Sequence, residues 1–294
     1  MCALVVVIKC DSQTKTGVPR MFIDMFLHIE IAASGNRLVI VTPEDGDVPP
    51  PLSPEMAPTF RTRALSVNFI DVELSDTRAH EFLKEITNDY DSTHEVRRGQ
   101  RIESISLAGN GLTKEVAAIT GNLLLHPRCR LKSLDLSYNN FPYDSWMKLV
   151  EIVGKSASLT YLDMRQHSAV ADSVLQKFGE ELLRPKSVAG LCCIRCDAFD
   201  VLHNVSALQL QEKVLDPGAT CLLAGVLRRN TDIRHLDLTA AGVEDSGVDY
   251  LAKALQSNTT LERLCLRHNL FATPTQDALS AVLESRSQPL VVEY

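Results

Sequence analysis

From residue 102 onward, apolar residues follow a compound rhythm: a short stretch at spacing two, then a longer stretch at helical spacing, repeated about every 28 residues. Three consecutive segments share one register without gaps. They are VSALQLQEKVLDPGATCLLAGVLRRNTD from Val205, IRHLDLTAAGVEDSGVDYLAKALQSNTT from Ile233 and LERLCLRHNLFATPTQDALSAVLESRSQ from Leu261. Upstream, further units begin at Ile102, Leu131, Leu159 and Leu191, and a 14-residue step separates Leu191 from Val205. The second apolar column reads Ile105, Leu134, Leu162, Ile194, Leu208, Leu236 and Leu264, and the third Leu107, Leu136, Met164, Cys196, Leu210, Leu238 and Leu266. Alternation at period two predicts a short strand with one face buried, and the switch to helical spacing predicts a helix after it. Leu222, Leu223, Val226 and Leu227 form the apolar stripe of one helix, and Tyr250, Leu251, Ala254 and Leu255 that of the next. No single unit can bury such a stripe alone, so stacked neighbours must supply the core.

The strings IESISLAGNGL, LKSLDLSYNNF, IRHLDLTAAGV and LERLCLRHNLF resemble the strand-plus-turn signature of leucine-rich repeats of the ribonuclease-inhibitor type, found also in NOD-like receptors and in the Ran GTPase-activating protein. The resemblance covers residues 102–294. It implies an α/β leucine-rich-repeat solenoid, a curved horseshoe with parallel strands on the concave face and helices on the convex one, generally used to recognise proteins. The family places Asn after the strand, where its side chain satisfies backbone groups at the turn. Asn110, Asn139 and Asn269 comply, whereas His167, Phe199, Lys213 and Ala241 occupy the matching positions elsewhere. Together with the 14-residue unit LCCIRCDAFDVLHN, these departures predict an irregular middle.

The repeat domain is expected over residues 64–294, with a divergent unit over 64–101 and clear units from 102. In the divergent unit Val67 and Phe69 are core strand positions, Phe82, Leu83 and Ile86 lie on a helix, and Asn88 to Gln100 form a charged loop insertion. Residues 1–63 read as a cap or flanking segment, with strands at Ala3 to Ile8 and Arg37 to Val41 and a helix at Met21 to Ala33. The ends of a solenoid need such a cover. The proline-rich stretch 43–58 reads as an extended linker, with a polyproline ligand for SH3 or WW domains as its functional alternative.

Composition narrows the function. The 294 residues carry a formal charge of −7. Residues 1–100 hold 10 of the 30 basic and 15 of the 37 acidic side chains, leaving 20 and 22 for the remainder. Neither part has the basic excess that phosphate-backbone binding requires, so nucleic acid is not the expected partner. The longest apolar stretch, Met21 to Ala33, is broken by Asp24, His28 and Glu30 and is too short to span a bilayer, so no membrane span is predicted. Ala3 to Ile8 lacks the basic flank of a signal peptide, and the expected compartment is the cytoplasm. Eight cysteines, several at core positions, predict reduced thiols rather than a disulfide framework.

No catalytic, cofactor or metal constellation is expected. Gly154-Lys155-Ser156 looks like the end of a phosphate-binding loop, but Leu149 stands where the first glycine belongs and the segment closes a helix. In Cys193-x-x-Cys196 the two thiols fall on opposite strand faces, which argues against a shared ligand. His126 and Cys129 sit in a loop between repeats without a visible orienting group. Two glycosylation sequons, at Asn204 and Asn258, fall in turns.

The alternate strand residues instead define a candidate interaction face. Its members, from first strand to last, are Ser104, Ser106, Ala108; Ser133, Asp135, Ser137; Tyr161, Asp163, Arg165; Cys193, Arg195, Asp197; Ala207, Gln209, Gln211; His235, Asp237, Thr239; and Arg263, Cys265, Arg267. The residues selected for partner binding are Asp135, Tyr161, Asp163, Arg165, Arg195, Asp197, His235, Asp237, Arg263 and Arg267, because an aromatic and several arginines on a polar face match the makeup of interface hot spots. The expected function is a non-catalytic protein-interaction module or scaffold. Regulation of a small GTPase, as in the Ran GTPase-activating protein, is the alternative, and an enzyme with its own active site is a third class that the residues do not support.

Overall fold

In the computed structural model, residues 4–8, 37–40, 65–69, 74–91, 102–167 and 170–294 are described. They fall into two units, residues 1–140 and 141–294.

The first unit holds strands β1 (Leu4–Ile8), β2 (Arg37–Ile40), β3 (Leu65–Asn68), β4 (Ile102–Ser106) and β5 (Ser133–Asp135), with helices α1 (Asp76–Asp91) and α2 (Lys114–Leu125). The strands run parallel in the order β2-β1-β3-β4-β5, so both strands read from the N-terminal segment add to the repeat sheet beside β3. Ile105 pairs with Leu134, which places two residues of the second apolar column side by side and out of water. Of the charged loop insertion expected over Asn88 to Gln100, Asn88 to Asp91 instead continue α1, and the remainder lies outside the described residues. Phe82, Ile86 and Tyr90 recur at spacing four and are buried together, so extending the helix one more turn sinks the Tyr90 ring into the core. The helix read at Met21 to Ala33 and the proline-rich stretch 43–58 lie outside the described residues.

The second unit contains β6 (Tyr161–Asp163), β7 (Cys193–Arg195), β8 (Asp200–Val201), β9 (Ala207–Gln209), β10 (His235–Asp237), β11 (Arg263–Cys265) and β12 (Val291–Glu293). Its helices are α3 (Tyr143–Val153), α4 (Asp172–Leu183), α5 (Pro217–Leu227), α6 (Asp245–Leu255) and α7 (Thr273–Glu284). Strands β9 to β12 form a parallel sheet in which Leu208, Leu236 and Leu264 align with Val292. The last strand was not expected from the sequence. Strands β6 and β7 are parallel, while β8 turns back antiparallel on β7 and the ladder does not continue into β9.

Each regular unit turns at the same place. The residue seven beyond the unit start has a positive φ in Gly109, Tyr138, Gln166, Glu212, Ala240 and His268. This left-handed step ends the strand and redirects the chain toward the helix, at a cost of about 1–2 kcal/mol for a residue with a Cβ. The 14-residue unit lacks the step at Ala198 and also lacks a helix, so α4 packs directly on α5. Two apolar neighbours explain why α5 is buried all the way round, from Gly218 to Leu227. Among the described residues no helix is long and apolar enough to cross a membrane.

Candidate binding face

The turn asparagines behave as their position predicts. Asn139 is buried; its Nδ2 donates to the carbonyls of Leu107 (2.9 Å), Leu136 (2.9 Å) and Ser137 (3.2 Å), and its Oδ1 accepts from the amides of Leu112 (2.9 Å) and Asn110 (3.2 Å). Asn110 and Asn269 repeat the pattern, bonding Phe69 O and Leu238 O respectively in the preceding unit. A second polar column escaped the sequence reading. Asn230 and Asn258, 28 residues apart and each three before a unit start, are buried and tie the end of one helix to the next strand. Asn258 Nδ2 donates to Leu227 O and Asn230 O, and its Oδ1 accepts from Thr260 and Leu261. The Asn258 sequon is therefore sealed in the folded chain, since the atom a glycan would occupy is buried and bonded. Their shared offset at the repeat period was the signal that could have revealed this column.

The candidate face starts from the aspartates that close the strands. In the first unit Asp135 Oδ1 accepts from the Ser137 amide (3.0 Å) and hydroxyl (2.7 Å), and its Oδ2 accepts from Ser106 (2.9 Å). In the second unit Asp163 and Asp237 use the same contact, accepting from the amides of Arg165 (3.2 Å) and Thr239 (2.9 Å). A carboxylate that bonds the amide two residues on forms a local turn and stops the ladder. Burial works to raise the Asp237 pKa, but hydrogen bonds from Thr239 and Gln211 outweigh it and hold the carboxyl below its usual range.

Asp163 is only 2% exposed, so it positions its neighbours rather than meeting a partner itself. Arg165 grips it with Nε (3.0 Å) and Nη2 (2.7 Å), Arg195 Nη1 lies 4.0 Å away, and Arg195 in turn donates to Asp200 Oδ2 at 3.1 and 2.9 Å. The result is a four-residue ion network with two half-exposed guanidinium groups held in place. Asp200 raises the Arg195 pKa against the opposing effect of burial. Tyr161 is half-buried on the adjoining strand, and Asp197 is exposed while accepting from the Gln166 amide (2.9 Å).

On the four-stranded sheet His235 and Arg263 are paired in register and exposed, and Gln209 and Arg267 are exposed as well. Glu293 on the unforeseen β12 pairs with Arg267, and its Oε1 lies 3.7 Å from Arg263 Nε. Cys193 and Cys265, both assigned to this face, are buried.

Gly154 caps the end of α3, donating its amide to Val150 O at 3.0 Å. Cys193 and Cys196 do not converge, since Cys196 Sγ turns to Phe199 O and burial pushes its pKa up to about 11. His126 does have an orienting partner, Asp91 Oδ1 at 3.1 Å from Nε2, but its Nδ1 accepts from the Arg128 amide at 3.1 Å. With both ring nitrogens engaged, the imidazole has no lone pair left for Cys129.

No family model matches the chain. It is 24% identical over 198 residues to human NACHT, LRR and PYD domains-containing protein 14, a match covering 63% of this chain and 18% of that protein. The Mus musculus protein of the same name is 29% identical over 194 residues, covering 65% and 18% of the two chains. Mus musculus ribonuclease inhibitor is 27% identical over 192 residues, covering 65% and 38%. The chain thus spans less than a fifth of the two NACHT proteins.

Proposed function

From the leucine-rich repeats of the ribonuclease-inhibitor type that this chain carries in tandem, we propose that it is a non-catalytic module that binds a protein partner through the exposed strand residues of its repeats. The observation that supports the reading most directly is the division of labour on β9 to β12. The middle residues of β9 to β11, Leu208, Leu236 and Leu264, are buried, while Gln209, His235, Arg263 and Arg267 on the alternate positions stand in solvent. Arginine offers a planar array of donors and is among the residue types that dominate binding energy at interfaces. The preferred partner surface is one that sets carboxylates opposite His235, Arg263 and Arg267, with Glu293 and Asp237 limiting how far that cationic patch extends. The Asp163 network, with Arg165 and Arg195 held rigid, supplies a second set of donors with little rotamer entropy left to lose.

The test is affinity purification of partners by the full chain and by the Arg263→Glu/Arg267→Glu variant, followed by mass spectrometry. Partners recovered by the parent chain are expected to be lost from the double variant and retained by a helix-face control, Lys253→Glu. Undiminished recovery by the double variant refutes binding through this face.

A further inference from the structure

We propose that Cys192, Cys193 and His203 form a zinc-binding site in the half-length repeat. One ligand atom from each lies within 4.8 Å of the others. The two sulfurs are 4.0 Å apart. Two thiolates each about 2.3 Å from a common zinc ion stand roughly 3.8 Å apart at a tetrahedral angle, so the pair needs almost no adjustment to share one ion.

Neighbouring residues of a strand normally face opposite ways. Here the amides of Cys192 and Cys193 both donate to the single carbonyl of Thr160, at 3.1 and 3.0 Å, which bends the chain at the strand entry and draws the two side chains together. The same pair of hydrogen bonds to one carbonyl recurs at Arg234 and His235, and at Glu262 and Arg263, where the residues are charged or polar and solvent-facing. Only in the half-length unit are both positions thiols. Because that unit has no helix, the chain leaving β8 returns at once past the strand entry and carries His203 back to the cysteines. Its turn is pinned by Asp232, whose Oδ2 accepts from the Asn204 amide at 3.0 Å and lies 3.8 Å from His203 Nδ1. A carboxylate behind a ligating imidazole is the usual outer partner of a zinc-bound histidine. The Asp232 backbone is itself fixed by the hydrogen bond its amide donates to Asn230 Oδ1 at 2.9 Å.

Access agrees with the geometry. Cys193 is buried, Cys192 is half-buried and His203 is exposed, so an ion enters from the His203 side. Zinc binding releases the thiol protons to solvent. A disulfide is the competing chemistry for adjacent cysteines. Their Cα atoms are about 3.8 Å apart across a trans peptide, short of the roughly 4.4 Å at which disulfides ordinarily begin.

The test titrates the reduced, chelator-treated full chain with Cd2+ as a spectroscopic stand-in and with Zn2+ against a chromophoric indicator. One ion per chain is expected, with a sulfur-to-cadmium charge-transfer band. Cys192→Ser should abolish the band. Asp232→Asn should weaken zinc binding about 10–100-fold, and His203→Ala, at an exposed position that leaves the fold intact, by at least as much. Cys129→Ser and Cys265→Ser should bind as the parent does. In hydrogen exchange, zinc should protect residues 191–206 of the parent but not of His203→Ala. Absence of the band at saturating Cd2+, full binding by both Cys192→Ser and His203→Ala, or recovery of the pair as a disulfide from reducing buffer overturns the proposal.

Discussion

Replacing Asn139 by Ala tests whether the turn asparagines bind one repeat to the next or merely decorate the turn. The side chain makes five hydrogen bonds, three of them bridging to the Leu107 carbonyl and the Asn110 and Leu112 amides of the preceding repeat. Not all of these losses count equally. Leu107 O keeps the Asn110 Nδ2 bond at 2.9 Å, and the Asn110 amide is close enough to solvent for water to replace its partner. The Leu112 amide belongs to a residue only 1% exposed, and Asn139 is its acceptor. Leaving one buried donor unpaired costs about 1–3 kcal/mol, and the weakened turn bonds add about 1 more, for a total near 2–4 kcal/mol. Asn139→Asp, which keeps the acceptor but turns a charge toward three carbonyls, should cost no less. Urea denaturation gives the overall loss, but in a repeat protein the transition need not be two-state, so the deciding measurement is local. Hydrogen exchange at Leu112 should accelerate strongly in Asn139→Ala. A stability loss under about 1 kcal/mol with unchanged exchange at Leu112 would refute the bridging role.

Other outcomes follow from the same geometry. Gly179→Ala places a methyl on the backbone carbonyl of Cys221, which no rotamer change can relieve; a stability loss of about 1–3 kcal/mol is expected from overpacking, and an unchanged thermal midpoint would show that α4 and α5 can separate. Ala240→Gly removes the left-handed penalty at φ 52° and should stabilise by about 1 kcal/mol, with any destabilisation in denaturant melts counting against the strain. The folded-state pKa of Asp237 is depressed, so its contribution is present above the unfolded carboxylate pKa and is lost as pH falls through the folded one. The thermal midpoint of the parent should therefore drop more steeply than that of Asp237→Asn between about pH 5 and pH 2, and parallel curves would sink the assignment.

The apolar columns were legible because each reports a single physical fact, burial, at a period that geometry imposes. Ile105, Leu134, Leu208, Leu236 and Leu264 all lie where that period puts them. The face was legible only as a set of directions. That Arg195 reaches Asp163, or that Glu293 reaches Arg263 and Arg267, depends on neighbours about 26 to 32 residues away, and spacing along one strand carries no information about the strand beside it. Strand β12 was missed for a related reason. Val291 to Glu293 is too short a stretch to display the compound rhythm, and it became recognisable only through its pairing with β11. The Cys192 and His203 encounter was hidden twice, once by the strand rule that sends adjacent side chains apart and once by the missing helix.

That missing helix also explains features that look unrelated in the sequence. With nothing between them, α4 and α5 must approach more closely than helices of full repeats, and the approach is possible only where side chains are absent. A Cβ at Gly225 would stand 2.9 Å from Leu182 Cβ and 3.1 Å from Gly179 O, and one at Gly218 would meet the Asp172 backbone. Three glycines in two short helices would ordinarily weaken them, at about 1 kcal/mol each for interior positions relative to alanine. Here the loss is set against the burial of α5 on every side, where each fully buried leucine or valine contributes about 1.5–3 kcal/mol. The glycines, the helix buried on every side and the absent left-handed step at Ala198 thus have one cause. A chain in which the half-length repeat were restored to full length would lose the need for Gly179 and Gly225, and would separate His203 from Cys192 at the same time.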